Sequence, residues 1–144
     1  MPSRRVPSHG PSAALVILWV GITAVAGCGR GAPAGAGAPV FAAPPDAVAL
    51  AVRVEFTGTQ VVVGNAGEGL WTRVRIEVAR GAADGPYLYE ADGILAGRSV
   101  AVGALNFARR DGARLSPFAG PPREWAVTAV LPDGRAGFAT GTFE

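Results

Sequence analysis

The stretch Leu70–Arg80, LWTRVRIEVAR, decides the fold class of this chain. Apolar or β-branched residues alternate with polar ones along it, and a period of two residues is typical of a strand with one face in a core. The residues predicted to face the core are Leu70, Thr72, Val74, Ile76 and Val78. The stretch therefore predicts a long strand in a half-buried sheet.

Short runs of β-forming residues, separated by Gly, Asp, Asn and Pro, lie on both sides of this strand. They predict strands at about 48–56, 60–64, 87–89, 99–105, 123–131 and 137–143, with two half-strands around Phe107 and Leu115. Seven or eight short strands at a spacing of roughly 8 to 12 residues predict an all-β immunoglobulin- or fibronectin-like β-sandwich. A small barrel is the alternative.

Aromatic residues on or near the charged face are the candidate binding residues of the domain. Trp71 is predicted to lie beside Arg73 on that face, where a cation–π contact would form a platform for a ligand or partner. Tyr87 and Trp125 complete this candidate set. Alternatively, a bulge near Trp71 turns the ring into the core, since sandwich domains commonly bury a tryptophan, or Arg73 simply covers the ring.

The N-terminal region has the three parts of a secretory signal peptide. Arg4 and Arg5 precede an apolar run at 13–26, which ends in small residues,. A helix of about 14 residues reaches only about 21 Å, which is short of the roughly 30 Å hydrocarbon core of a bilayer. The run therefore favours a signal peptide over a permanent transmembrane helix.

The sequence Val25-Ala26-Gly27-Cys28 resembles the lipobox of bacterial lipoproteins. The resemblance implies cleavage between Gly27 and Cys28, a diacylglyceryl group on the Cys28 thiol, and a fatty acid such as palmitate on the new amino group. The expected location is the cell envelope, with the protein lipid-anchored to the extracytoplasmic face of a bacterial membrane. Cys28 is the only cysteine, so it has no disulfide partner within the chain,. A plain secretory signal with an unmodified cysteine is the alternative.

The segment after the cysteine predicts a disordered tether. Residues 29–45, GRGAPAGAGAPVFAAPP, are rich in Gly, Ala and Pro and have too little bulk to build a core,. The predicted organisation is a signal peptide at 1–27, a lipidated cysteine and linker at 28–45, and a sandwich domain at 46–144. Val40 and Phe41 interrupt the linker pattern, either incidentally or because they dock on the domain.

Removal of the signal peptide leaves a chain with almost balanced charge. All thirteen basic residues are Arg, two of them precede Cys28, and all eleven acidic residues follow it. This balance gives no basic surface for nucleic acid. Arg109, Arg110 and Arg114 flank a predicted loop, where they either bind an acidic polymer or lipid headgroup or form a solvated edge that resists strand pairing.

The residue inventory after cleavage excludes many kinds of active site. His9, the only histidine, is lost with the signal peptide, and the chain has no Lys and no second Cys. Ser-His-Asp and Cys-His nucleophiles, Schiff-base chemistry and His- or Cys-ligated metals are therefore excluded. Paired carboxylates or an oxygen-ligated calcium ion stay open, with candidates Glu68, Asp84, Glu90, Asp92, Asp111 and Asp133,. Neither spacing demands such a site, so we predict no enzyme activity, metal or cofactor.

Three segments of the domain resemble a class of uncharacterised small bacterial lipoproteins. These are Asn65…Trp71…Val74-Arg75-Ile76, then Ile94-Leu95-Ala96-Gly97, then Phe107…Asp111-Gly112. The extracytoplasmic domain of that class is similar to the FxLYD type of immunoglobulin-like fold. The eponymous motif is absent here, because Ile76-Glu77-Val78-Ala79 occupies its place. The resemblance implies a fold and no activity.

These observations lead to a non-enzymatic, lipid-anchored module of the cell envelope. The predicted partners are membrane lipid, through Cys28, and an envelope protein bound by the domain, for example by strand addition at a sheet edge. The alternative is a module that binds carbohydrate or cell-wall glycan through Trp71, Trp125 or Tyr87, which requires an exposed, coplanar pair of rings.

Overall fold

The structure is a computed structural model that describes residues 40–144. The predicted signal peptide, Cys28 and the first part of the linker lie outside the described residues. The strands are β1 (Val48–Ala49), β2 (Val52–Phe56), β3 (Gln60–Asn65), β4 (Trp71–Ala79), β5 (Tyr87–Ile94), β6 (Ser99–Gly103), β7 (Glu124–Val130) and β8 (Ala136–Thr142). Two single-turn 3₁₀ helices, Ala104–Asn106 and Pro117–Ala119, are the helical elements of this region. The predicted all-β class is confirmed.

The strands form two sheets packed face to face. The larger sheet has the order β1-β8-β7-β4-β5 and the smaller has the order β2-β3-β6. Neighbouring strands are antiparallel, except that β1 runs parallel to β8. The arrangement of β4-β7-β8 opposite β2-β3-β6 matches the C-F-G and A-B-E sheets of an immunoglobulin-type sandwich. The core between the sheets is apolar and includes Val61, Val63, Val102, Val74, Ile76, Val78 and Val127.

The first predicted strand, at 48–56, divides into two strands in different sheets. β1 pairs with β8 of the larger sheet, and β2 pairs with β3 of the smaller one. The chain crosses between the sheets at Leu50 and Ala51, and the buried Leu50 side chain occupies the place where a Cβ of residue 137 would lie. Gly137 is therefore required by this close approach. The alternation of apolar residues does not reveal this crossing, because apolar residues recur every second position in the strands of both sheets.

The central strand β4 contains a bulge that changes the predicted face of its first residues. Thr72 pairs with Val130 and Arg75 with Thr128, so two residues of β4 lie opposite one residue of β7. Arg73 has a positive φ of 48°, which is the conformation of the first residue in a G1-type bulge, where glycine is usual,. Beyond the bulge, Val74, Ile76 and Val78 face the core as predicted.

The bulge places Trp71 in the core. Its side chain is only 1% exposed, whereas Leu70, predicted to be buried, is 43% exposed. Thr72 follows Trp71 in the strand and therefore lies on the opposite, outer face,. The predicted face assignment is wrong for Leu70, Trp71 and Thr72, and the alternative with a bulge is confirmed. The predicted break at 91–93 is also wrong, because β5 continues to Ile94. A Cβ at Gly93 would lie 2.5 Å from the Trp71 carbonyl oxygen, so the backbones approach closely there.

Asn65, at the end of β3, is a buried polar residue that connects three parts of the chain. Its side-chain amide donates to the carbonyl oxygens of Gly69 and Ile94, each at 2.9 Å. Its side-chain oxygen accepts a 2.9 Å hydrogen bond from the Gly67 backbone N–H. The side chain therefore fixes the turn between β3 and β4 and ties it to the end of β5.

The packed domain begins earlier than the predicted boundary at Asp46. Phe41 is buried and forms a small apolar cluster with Ala79 and Ala126, against which Val40 and Phe138 also pack. These partners lie on the outer face of the larger sheet, so the described part of the predicted linker, residues 40–45, is attached to the domain through Val40 and Phe41. The docking alternative for Val40 and Phe41 is confirmed.

We expect Asn65→Ala to lower the free energy of unfolding by about 2 to 3 kcal/mol, because it removes a buried hydrogen bond to Ile94 and two partly buried bonds within the turn,. Urea unfolding of the mature chain would measure this loss. Thr57→Ala is the control, since the Thr57 hydroxyl makes one long, exposed bond to Gln60. Equal small losses in both variants would contradict the role given to Asn65.

We expect Phe41→Ala to lower the free energy of unfolding by about 2 kcal/mol, since it empties a buried site at the domain edge. It should also speed proteolytic cleavage N-terminal to β1, because the segment loses its anchor. Ala42→Ser is the neighbouring control at an exposed position. Identical cleavage rates in the two variants would show that Phe41 does not hold the segment.

Candidate functional site

An open cavity of about 740 Å³ lies on the outer face of the larger sheet, beside β4 and β5. Part of its wall is small or apolar and comes from Ala82, Ala83, Gly85, Pro86, Leu88 and Ala108. The rest is charged and comes from Arg75, Glu77, Asp84, Arg109, Arg110 and Asp111. Its volume lies in the range of ligand-binding pockets, and its wall carries three positive and three negative side chains,.

Alternation along β4 supplies one side of the cavity. Ile76 faces the core, so Arg75 and Glu77 project outward on either side of it. Their side chains form an ion pair with 2.9 Å between Arg75 Nη2 and Glu77 Oε1. Glu77 is also opposite Leu88 of β5 in the strand register, which brings an apolar side chain next to the pair.

A hairpin from the predicted loop supplies the other side. Leu88 and Ala108 exchange two backbone hydrogen bonds of 2.9 and 3.0 Å, and Ala108 also bridges to Arg114. The two half-strands predicted near Phe107 and Leu115 therefore extend the sheet beyond β5. This pairing places the Arg109–Asp111 turn at the rim of the cavity.

Asp84 is the centre of a charged network below the rim. Arg80 and Arg109 each form an ion pair of 3.2 Å with its carboxylate. The Tyr87 hydroxyl donates to the same carboxylate at 3.2 Å. Both guanidinium carbons lie 5.6 Å from the Tyr87 ring centroid, within cation–π range,. This network holds the loop that follows β4 in a fixed position.

The rim turn carries a second ion pair with altered titration. Arg109 Nε donates to Asp111 Oδ1 at 3.3 Å, and Asp111 also accepts from the Ala113 N–H at 3.0 Å. The hydrogen bond from Arg109, followed by that from Ala113, lowers the pKa of Asp111, and the same pair raises the pKa of Arg109. Arg110 is exposed and has no ion-pair partner within residues 40–144.

The sequence-predicted binding residues do not form a surface platform. Trp71 and Tyr87 are buried, at 1% and 4% exposure, and Arg73 projects to solvent away from Trp71 because of the bulge. Trp125 is half-buried, packs on Gly141 and donates its indole N–H to the Thr142 carbonyl oxygen at 3.3 Å. Of these four residues, only Tyr87 lies near the cavity. It does not line the wall, but its side chain contacts Arg80, Asp84 and Arg109 beneath the rim.

Sequence reasoning missed Arg75, Glu77 and Arg80 as members of one site. Arg75 and Glu77 were recognisable as outward residues of β4, but their position beside the 108–111 turn depends on pairing distant in sequence. The predicted charged loop at Arg109 and Arg110 was the available signal. The sequence allowed two interpretations of this loop, ligand binding and protection of a sheet edge. Both are compatible with a turn that covers part of the β5 edge.

The carboxylates of this region offer no cluster suited to a metal. No group of three or more His, Cys, Asp or Glu residues is arranged to hold a metal ion in the described part of the chain. Asp84, one of the candidates for calcium, is engaged by two guanidinium groups and a hydroxyl instead. Among the same residues, no helix has the length and apolar character needed to cross a membrane.

Comparison of the chain with protein-family models, with curated proteins and with solved structures gave no match. The similarity to lipoproteins with an FxLYD-like domain stays a prediction from the sequence. The function is therefore argued from the cavity and the loops around it.

The two Asp–Arg turns allow a matched test of these electrostatics. The pKa of Asp133 is also lowered, but there the backbone N–H of Arg135 is the main cause and its guanidinium the second. We therefore expect Arg109→Gln to bring the pKa of Asp111 far back toward its usual value, and Arg135→Gln to do so only partly for Asp133. NMR titration of the side-chain carboxyl carbons would measure both.

The sign of the effect on stability follows from the lowered pKa values. Each carboxylate favours folding above the usual Asp pKa of about 4, and this contribution is lost as the pH falls through the lowered folded-state value. If the pKa values of Asp111 and Asp133 returned toward the usual value by the same amount, the Arg109 side chain would not be the main cause of the lowered pKa of Asp111.

Proposed function

We propose that this protein is a lipid-anchored, non-enzymatic β-sandwich module of the bacterial cell envelope that binds an envelope protein. The observation that carries the proposal is the open cavity of about 740 Å³, whose charged wall has both signs and includes Arg110, which forms no ion pair with residues 40–144. The proposed anchor is the lipidated Cys28, which lies outside the described residues.

The chemistry of the cavity suits a protein segment. Its wall combines Ala, Gly, Pro and Leu side chains with guanidinium and carboxylate groups, which complement a segment carrying apolar and charged residues. Mixed charges of this kind select a partner and its orientation more than they increase affinity. Arg110 is available for a carboxylate of the partner, because guanidinium groups recognise carboxylates through paired hydrogen bonds.

The alternative of a glycan-binding module has less support. Glycan recognition was predicted to need two exposed, coplanar rings, and Trp71 and Tyr87 are buried. The wall of the cavity includes no aromatic side chain. The protein partner is therefore the better proposal for this surface.

The state of the carboxylates supports a non-enzymatic role. A general acid needs a raised pKa, whereas the pKa of Asp111 is lowered,. Glu77 is paired with Arg75, and Asp84 accepts bonds from two arginines and a tyrosine. All three carboxylates are therefore engaged in contacts within the domain.

The position of the cavity refines the predicted mode of partner binding. The edge of β5 next to it is already paired, since Leu88 bonds to Ala108. Strand addition at this point would have to displace the hairpin. We therefore place the partner in the cavity and not along the adjacent edge.

The proposal is tested by site-specific crosslinking in the source bacterium. We expect a photoreactive amino acid at position 110 of the full-length protein to capture one abundant envelope protein. The same group at position 135, an exposed arginine in the β7–β8 turn, is the matched control and should not. The adduct should be lost in Cys28→Ala, since that protein is not anchored.

Three outcomes would contradict parts of the proposal. If positions 110 and 135 gave identical adducts, the cavity would not be the surface that binds the partner. No protein adduct, with the domain retained on isolated cell-wall glycan, would favour the glycan-binding alternative. If Cys28→Ala associated with the membrane as strongly as the unchanged protein, the proposed lipid anchor at Cys28 would be wrong.

A further inference from the structure

The single-turn helix Pro117–Ala119 presents an unusually exposed aromatic side chain. Phe118 is 97% exposed, more than Leu105 or Leu95, which are 62% and 60% exposed. An almost fully exposed Phe ring contributes nothing to the core and is free to enter an apolar environment outside the domain.

The side chain of Arg80 holds the loop that carries Phe118 through two hydrogen bonds to the loop backbone. Arg80 Nε donates to the Gly120 carbonyl oxygen at 2.9 Å, and Arg80 Nη2 donates to the Ser116 carbonyl oxygen. The Ser116 hydroxyl caps the turn by accepting from the Phe118 N–H at 3.3 Å. The exposed ring therefore sits on a fixed support and needs little ordering when it binds.

The composition of the loop suits a lipid interface. Residues 116–122, SPFAGPP, include no charged side chain, and three of the seven are prolines without an N–H,. The N–H groups of Phe118 and Ala119 are bonded within the turn, to the Ser116 hydroxyl and carbonyl oxygens. Few backbone donors would therefore lose water if the tip entered the headgroup region, where unsatisfied polar groups are costly.

The loop lies at the end of the domain where the described chain begins. Phe41 packs against Ala79, whose carbonyl oxygen accepts from the Arg123 N–H just after the loop. The next residue, Arg80, is the one that binds the loop carbonyls. Eleven residues lie between Cys28 and Val40, and a chain of that length spans at most about 40 Å when fully extended.

We propose that the loop 116–122 is a second membrane contact, which inserts Phe118 into the interface of the bilayer that holds the lipid anchor. The inference rests on the proposed lipid anchoring of Cys28. The short tether keeps this end of the domain close to the bilayer, and the uncharged tip with its apolar ring is the part best suited to enter it.

The test uses the mature lipidated chain in vesicles of phosphatidylcholine and phosphatidylglycerol. Lipidation consumes the Cys28 thiol, so Phe118→Cys provides one free thiol for an environment-sensitive dye. Leu95→Cys is the matched control, because Leu95 is also exposed but follows the opposite end of β5. We expect brominated lipids to quench the dye at position 118 severalfold more strongly than the dye at position 95.

The outcomes separate the two proposals. Flotation of the protein with the vesicles but equal quenching at both positions would overturn the membrane contact and leave the anchor intact. A dye at position 118 that lipids do not quench, but whose emission shifts to the blue when solubilised envelope proteins are added to the vesicles, would overturn it in favour of a protein contact. A second labelled thiol at Cys28 and no flotation would contradict both proposals.

Discussion

The buried side-chain amide of Asn65 is the interaction on which the relation between the two sheets depends. It is the one polar side chain buried in the part of the chain that the structure describes. An unsatisfied amide in this position would cost several times the net contribution of an ordinary hydrogen bond, so all of its three bonds matter together. Asp would lack both donors, and Gln would displace the amide by one methylene. The site therefore specifies Asn, and it fixes the entry into β4 relative to the end of β5.

The position of Trp71 follows from that constraint. The turn held by Asn65 leads directly into β4, and Gly67 of the turn lies beside the Trp71 ring. The extra residue at Arg73 then restores the alternation, so that Trp71 and Val74 both reach the core. A strand with strict alternation would expose one of them. The bulge lets the sandwich bury its largest side chain while Arg75 and Glu77 stay on the outer face.

The fold class was predictable from the sequence because alternation and turn residues are local signals. The strands β3, β4, β6, β7 and β8 were predicted to within a few residues. The bulge near Trp71 was predicted only as an alternative. Its position at Arg73 was not predicted, since Arg73 adopts a positive φ that glycine or asparagine would more often adopt,. The sequence alone also did not determine whether Phe41 docks on the domain or that 48–56 divides into two strands. Each depends on contacts with β8 and its neighbours, which are distant in the chain.

The candidate site shows the same limit more strongly. Arg109, Arg110 and Asp111 were recognisable as a charged turn, but their meeting with Arg75 and Glu77 required the hairpin to pair with β5. Arg80 was unremarkable in the sequence, yet it joins residues 36 and 40 positions away to Asp84 and Tyr87. One guanidinium thus supports both the cavity rim and the loop that presents Phe118. The proposed protein site and the proposed membrane contact therefore belong to one end of the domain, which places the partner close to the bilayer surface.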